Sequence, residues 1–344
     1  MNVTPLAEPT NATDANDVLL LTSQKLRYVY LVIGALGLLG NVFVVVVIFS
    51  GTAMRKQLTN AFIINQSLLD AAVSLFLILT TLLENDGRTF VSTADLAYCK
   101  LWLTKMWLWG LLVSSTYNLL AVSVERYLAV VHPFWHRMRL TRGKVFASIA
   151  FIWVFGPAYN LAYMVPTSGI SRDGGCTLYS FWPDSLTQNA IGVLTITIQF
   201  IVPIILLIIF YARMIVVLRM RIRPPPVAAG GAGASGEGGP TMARARRNVI
   251  KTLGIVAFCF VFCWIWNQIY FLLFNLGYGR IDFLGVFYHF TVVMVFANCC
   301  INPFIYVAKY EQFQKTMRHL LLRERPTADI TQHRDTSSFS GNNR

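Results

Sequence analysis

Residues 28–50 read YVYLVIGALGLLGNVFVVVVIFS, a stretch with no charged side chain. A helix needs about 20 apolar residues to cross a hydrocarbon core of roughly 30 Å, and this run is long enough. Similar runs follow near residues 60–83, 101–131, 145–166, 190–218, 249–275 and 284–308, which makes seven. Of the 344 residues, 55% are hydrophobic and 13% charged, against about 25% charged in a water-soluble globule. That balance, with a mean hydropathy of +0.54, excludes a soluble enzyme and a disordered chain. Several runs hold proline or polar residues: Pro157, Pro203, Pro303, Asp70, Asn118 and Asn302. Lipid tolerates these only where neighbouring helices satisfy the freed groups, so the expected fold is an all-α membrane protein, a seven-helix bundle. Six cysteines, at 99, 176, 259, 263, 299 and 300, match no zinc-ligand spacing.

Charge sets the orientation, because short loops rich in Lys and Arg stay cytoplasmic. Arg55 and Lys56 follow span 1. Arg137, Arg139, Arg142 and Lys144 follow span 3, and Arg219, Arg221, Arg223, Arg244, Arg246 and Arg247 follow span 5. The N-terminus is therefore expected outside. The net charge of +13 reflects topology and calls for no nucleic acid. Residues 1–27 are expected as an extracellular tail, with glycosylation acceptors at Asn2 and Asn11. Within the bundle of residues 28–308, the Pro/Gly/Ala/Ser stretch near 223–243 is expected as a disordered cytoplasmic loop. Residues 309–323 carry Phe313, Met317, Leu320 and Leu321 at helical spacing among Lys315, Arg318 and Arg323, which predicts a short amphipathic helix on the inner leaflet. Residues 324–344 are expected as a disordered cytoplasmic tail.

Glu125-Arg126-Tyr127 closes span 3, followed by His132-Pro133, and Asn302-Pro303-Phe304-Ile305-Tyr306 lies near the inner end of span 7. Together these resemble the E/D-R-Y and N-P-x-x-Y motifs of the rhodopsin-like (class A) G-protein-coupled receptors. Further positions are similar to the family's markers over residues 28–322: Gly40-Asn41, Asp70, Trp153, Pro203 with Tyr211, and Phe260 with Cys263-Trp264. The resemblance implies a Cys99–Cys176 disulfide, which an oxidising exterior favours. It also implies a latch at Arg126, freed on activation to meet a heterotrimeric G protein, with Glu125, Tyr127, Tyr211, Asn302, Pro303 and Tyr306 taking part. Pro133 and Phe134 offer apolar bulk for the same contact, though a headgroup anchor reads equally from these residues. Phe260 and Trp264, one turn apart, are implied to transmit ligand motion; two aromatics packed in a core is the plainer alternative.

Asp70 is the acid deepest in a span, and such residues are functional candidates by default. The resemblance implies that Ser115, Asn298 and Asn302, with Asn41, converge on it as an allosteric Na⁺ site; the alternative is a structural carboxyl. No cofactor is required. Two departures from the family stand out. Trp266 occupies the position where span 6 usually has proline, and Cys99 lies 27 positions before Arg126, a wider interval than usual.

For the ligand, span 3 lacks the aspartate that pairs with amines, and span 7 lacks a lysine for a retinal Schiff base. The outer halves instead offer aromatic area with scattered hydrogen bonding, including Lys105, Trp109, Tyr179, Gln268 and His289. The run from Ser115 to Pro133 resembles the peptide branch near galanin, allatostatin and somatostatin receptors. The resemblance thus implies a plasma-membrane receptor for an extracellular neuropeptide. A non-peptide small molecule, or a constitutively active orphan, stays open as the alternative. Thr327, Thr331, Thr336, Ser337, Ser338 and Ser340 could accept phosphates from receptor kinases for arrestin binding; the ordinary composition of a disordered tail is the alternative. A transporter would show internal repeats, and an intramembrane enzyme a nucleophile or metal cluster; the sequence presents neither.

Overall fold

A computed structural model describes residues 12–83, 89–222, 240–278 and 285–322. Asn2, Asn11, residues 223–239 of the expected loop and the Ser/Thr tail lie outside these residues. The helices, in order, are α1 (Ala12–Ser50), α2 (Thr52–Arg55), α3 (Leu58–Leu82), α4 (Thr93–Tyr98), α5 (Met106–Val131), α6 (Pro133–Arg139), α7 (Arg142–Met164), α8 (Ser185–Ile196), α9 (Val202–Ile222), α10 (Pro240–Asn275), α11 (Val286–Lys309) and α12 (Glu311–Leu322). A π-helical turn, Cys99–Leu103, joins α4 towards α5, and a second, Thr197–Ile201, joins α8 to α9. Among the described residues, seven segments are long and apolar enough to span a membrane. A small antiparallel hairpin, β1 (Gly169–Ile170) with β2 (Cys176–Thr177), lies between α7 and α8.

Two boundaries differ from the sequence reading. Residues 12–27, expected within the tail, continue α1 without a break; no proline or glycine interrupts them, so polarity alone does not stop the helix. Pro240–Ala243, expected in the loop, opens α10, and proline suits a first helical turn because its missing N–H has no intrahelical partner there.

The wide interval before Arg126 has a structural outlet. The π-turn at Cys99–Leu103 and a left-handed Lys105 (φ 55°) interrupt the span, which takes up additional residues before α5 begins. Cys99 is thereby placed to bond Cys176 across a Cα–Cα distance of 5.7 Å, tying the hairpin to the top of α5.

From there α5 runs as the hub of the bundle, packed against α3, α7 and α9 and touching α10. Its approach to α7 is backbone to backbone. A Cβ on Gly156 would collide with the Gly110 carbonyl oxygen and Ser114 Oγ, and one on Gly110 would come within 2.7 Å of Pro157 Cα. Small residues at such crossings let packing replace the hydrophobic force that lipid does not supply. Ser114 Oγ also donates to Ile152 O at 2.7 Å.

At Pro303 and Pro203 the proline leaves a backbone acceptor bare, and a side chain from a neighbouring helix fills it. Pro303 has no N–H for Cys299 O, four residues earlier; Asn41 Nδ2 of α1 donates to it at 2.9 Å. In the second π-turn the Val202 amide bonds Thr197 O, and Pro203 has no N–H to offer Ile198 O. The Tyr117 hydroxyl of α5 donates there at 3.1 Å. α12 turns away after Tyr310 and is held by buried Phe313, whose ring meets Phe43 and Tyr306 edge-on or tilted at 6.3 and 6.4 Å.

Two stability outcomes follow for the purified chain. Gly156→Val forces α5 and α7 apart, and overpacking of this kind costs about 1–3 kcal/mol; thermal unfolding in detergent shows a melting temperature several degrees lower. Tyr117→Phe keeps the ring but strands the Ile198 carbonyl, at about 1–3 kcal/mol, and its melting temperature falls while Tyr159→Phe, whose hydroxyl bonds the Thr195 and Gln199 side chains at the open cleft, falls less.

Candidate functional site

Three polar regions lie along the bundle, and α5 runs through all of them. At the disulfide end a cleft of about 510 Å³, counting the open space at its mouth, is lined from α5 by Trp109, from α7 by Asn160 and Tyr163, and from the segment after β2 by Tyr179. α8 and the π-turn contribute Gly192, Thr195, Ile196 and Gln199, and α10 contributes Asn267, Gln268, Phe271, Leu272 and Asn275. Tyr179 is buried, with φ 55°, and its ring packs on Tyr163 at 5.6 Å and Phe271 at 5.8 Å. Trp182 Nε1 fixes its carbonyl at 2.7 Å. Burial pushes the Tyr179 phenol well above its ordinary pKa, so it stays neutral. Gln268 Nε2 faces Gln199 Oε1 at 3.4 Å, and Asn267 donates to Thr291 Oγ1 at 3.3 Å. None of the lining residues is Asp, Glu, Lys, Arg or His. The cleft therefore suits an occupant recognised by aromatic contact and neutral hydrogen bonds.

Trp109, Tyr179 and Gln268 are thus brought together as expected, whereas Lys105 and His289 are not among the lining. Lys105 stands at the left-handed backbone break before α5. His289 Nδ1 pairs with the Tyr30 hydroxyl at 2.7 Å, joining α11 to α1. Asn160, Thr195, Gln199 and Asn275 also line the cleft; their mark in the sequence is an amide or hydroxyl within the otherwise apolar runs of α7, α8, the second π-turn and α10.

Trp264 and Phe260 lie deeper, both buried, with ring centroids 5.8 Å apart. Trp266, where the resemblance would have proline, points away from them: it is 37% exposed and packs edge-on against Phe262 and Phe290. α10 runs as helix through this position to Asn275.

At mid-depth Asp70 is fully buried. Its Oδ1 accepts from Ser115 Oγ at 2.7 Å, its Oδ2 from Asn302 Nδ2 at 2.9 Å, and both from Gln66 Nε2 at 3.2 Å. Asn41 serves Gly37 O and Cys299 O instead. Asn298 is buried but is not among these partners. Gln66 was missed in the sequence, where one amide inside span 2 carries no distinguishing mark.

At the opposite end Arg126 makes a bidentate pair with its neighbour, Nε to Glu125 Oε2 at 2.5 Å and Nη2 to Oε1 at 2.8 Å. Glu125 is buried at 2% exposure and Arg126 at 21%. Thr59 Oγ1 of α3 donates to Oε2 at 2.8 Å, and His136 Nε2 of α6 meets Oε1 at 2.9 Å. Short charge-assisted bonds of this geometry are about twice as strong as neutral ones. The Tyr211 hydroxyl lies 3.3 Å from Ser123 Oγ, and Tyr306 is buried against Phe313; Tyr127 packs on Phe210 at 5.0 Å. Pro133 starts α6 at its first turn, which leaves Phe134 at 84% and Met138 at 79% exposure. His136 was not legible beforehand, since its reach to Glu125 depends on α6 folding back under the bundle.

Comparison with known proteins agrees with this geometry. The family model of the seven-transmembrane receptor (rhodopsin family) matches residues 40–306. Among similar proteins, the neuropeptide FF receptor 1 of Rattus norvegicus is 30% identical over 83% of this chain and 67% of its own length. The substance-P receptor of Aquarana catesbeiana is 25% identical over 85% and 69%, and the galanin receptor 2a of Danio rerio 25% over 83% and 75%. With the motif-bearing ends of α5 and α11, the bridged top of α5 and a match spanning the helical bundle, the chain belongs to the rhodopsin family of seven-transmembrane receptors.

Proposed function

We propose that this receptor sits in the plasma membrane with its N-terminus extracellular, binds a neuropeptide at the disulfide end, and activates a heterotrimeric G protein at the Arg126 end. The observation that carries the ligand reading is the cleft beside Trp109, Tyr163, Tyr179 and Gln268, lined by rings and amides with no fixed charge among its lining residues. A peptide offers what such a surface can hold: side chains for the rings, and backbone or terminal amides for Gln199, Gln268 and Asn275. The relatives named above are receptors for substance P, neuropeptide FF and galanin, which supports the same class. Basic loops at the Arg126 end support the orientation.

The mechanism is a population shift. In the arrangement described, Glu125 occupies Arg126, and Thr59 with His136 keeps Glu125 in place. A ligand that binds better when the Arg126 end is open favours release of the guanidinium towards the G protein, while exposed Phe134 and Met138 of α6 give the partner an apolar foothold. Moving such an equilibrium from 1:99 to 99:1 takes about 5.5 kcal/mol of differential affinity. Phosphorylation of the C-terminal Ser/Thr residues by receptor kinases, with arrestin binding, extends this reading on composition alone.

Cells expressing the chain are exposed to amidated and cyclic neuropeptides, with calcium and cAMP read together and Arg126→Ala at equal surface expression as control. A peptide response lost in the control supports the proposal; responses confined to non-peptide molecules overturn the peptide class, and signalling that survives Arg126→Ala overturns the role of the arginine. Gln268→Ala then weakens the active peptide by roughly 5- to 150-fold, from about 1–3 kcal/mol per buried hydrogen bond. Glu125→Gln raises basal nucleotide exchange on the G protein, because the guanidinium loses its anionic partner.

A further inference from the structure

The polar cluster at mid-depth has a directionality that the four residues nominated for sodium do not reveal. Trp153 Nε1 of α7 donates to Asn65 Oδ1 of α3 at 2.7 Å. An indole nitrogen can only donate, so Asn65 must turn its oxygen to it and its nitrogen onward. Asn65 Nδ2 donates to Asn118 Oδ1 of α5 at 2.8 Å, and Asn118 Nδ2 to Gln66 Oε1 at 2.8 Å and Phe62 O at 3.0 Å. Phe62 O can only accept, so a second anchor fixes the same sense. Each amide orientation along the chain follows from partners whose roles are not reversible. At its end Gln66 has one face left for Asp70, and that face is NH₂.

Gln66 Nε2 contacts both Asp70 oxygens and Ser115 Oγ. That is the place which an ion shared by Asp70 and Ser115 would take, and it is filled by N–H groups where a hard cation needs oxygen lone pairs. A carboxylate has about four lone-pair sites. Ser115 Oγ donates to one oxygen and Asn302 Nδ2 to the other, while Gln66 Nε2, whose second hydrogen faces Ser115 Oγ, shares its remaining hydrogen between the two. Among the described residues the buried oxygens Asn41 Oδ1 and Asn302 Oδ1 have no hydrogen-bond donor, but they are neutral amide acceptors and do not displace the Gln66 N–H from Asp70. The residues implied for Na⁺ thus do not fit the ion as they stand.

We infer that Gln66, oriented by the Trp153–Asn65–Asn118 relay, is a built-in substitute for the cation at Asp70, so that this receptor lacks sodium-specific regulation. The inference concerns the bundle centre and does not depend on what the cleft binds.

The test is thermal unfolding of the purified full chain in NaCl, KCl or choline chloride at equal concentration. The wild type is expected to respond alike to all three. Gln66→Leu, which removes the amide, is expected to gain a saturable stabilisation in NaCl only, a rise of roughly 3 °C; Gln66→Met serves if the leucine variant does not fold. A saturable NaCl-specific rise in the wild type overturns the inference, and so does a folded Gln66 variant indifferent to sodium. Should neither variant fold, the wild-type comparison decides by itself.

Discussion

A carbonyl oxygen inside a bilayer has no water to turn to, and each one that loses its helical partner must find a donor from a neighbouring helix. Prolines create such oxygens at fixed places. In this chain Asn41 answers Pro303 by bonding Cys299 O, and Tyr117 answers Pro203 by bonding Ile198 O. Each repair sets which helix lies beside which, α1 against α11 and α5 against α9, and at what depth. The same two contacts therefore hold in place the helices that carry Tyr306 at one end and the cleft wall at the other.

Around this frame α5 links the regions in sequence order. Its top is fixed by Cys99 and by the break at Lys105, its middle supplies Ser114, Ser115 and Asn118, and its base supplies Glu125 and Arg126. Close contact of Gly110 with Gly156 and Pro157 leaves no slack between α5 and α7. The cleft, the buried amide relay and the arginine thus share one helix.

Much of this could be read from the sequence because the bilayer imposes length and composition on each span, and the Glu125-Arg126-Tyr127 and Asn302-Pro303 motifs bind their positions to known depths. The disulfide followed from resemblance in the same way. What could not be read depends on which face of a helix meets which neighbour. Lys105 and His289 look like cleft residues from depth alone, yet neither is among the cleft's lining, and His289 meets Tyr30. Gln66 and His136 acquire meaning only when α5 and α6 bring Asp70 and Glu125 to them. The helical start at Ala12 and the early start of α10 at Pro240 show that polarity marks the membrane boundary, not the end of a helix.

The unbroken course of α10 has a mechanical consequence. At 1.5 Å per residue, the helix extends roughly 20 Å from the Phe260–Trp264 layer to Asn275 and roughly 33 Å from that layer to Pro240. Were α10 to pivot as one body in the aromatic layer, with no proline hinge at Trp266, these two arms would act as a single lever. A sideways displacement at the cleft arrives at the far end enlarged about 1.7-fold and reversed in direction, so the short arm, which carries Gln268 and Asn275, works against a load on the long one.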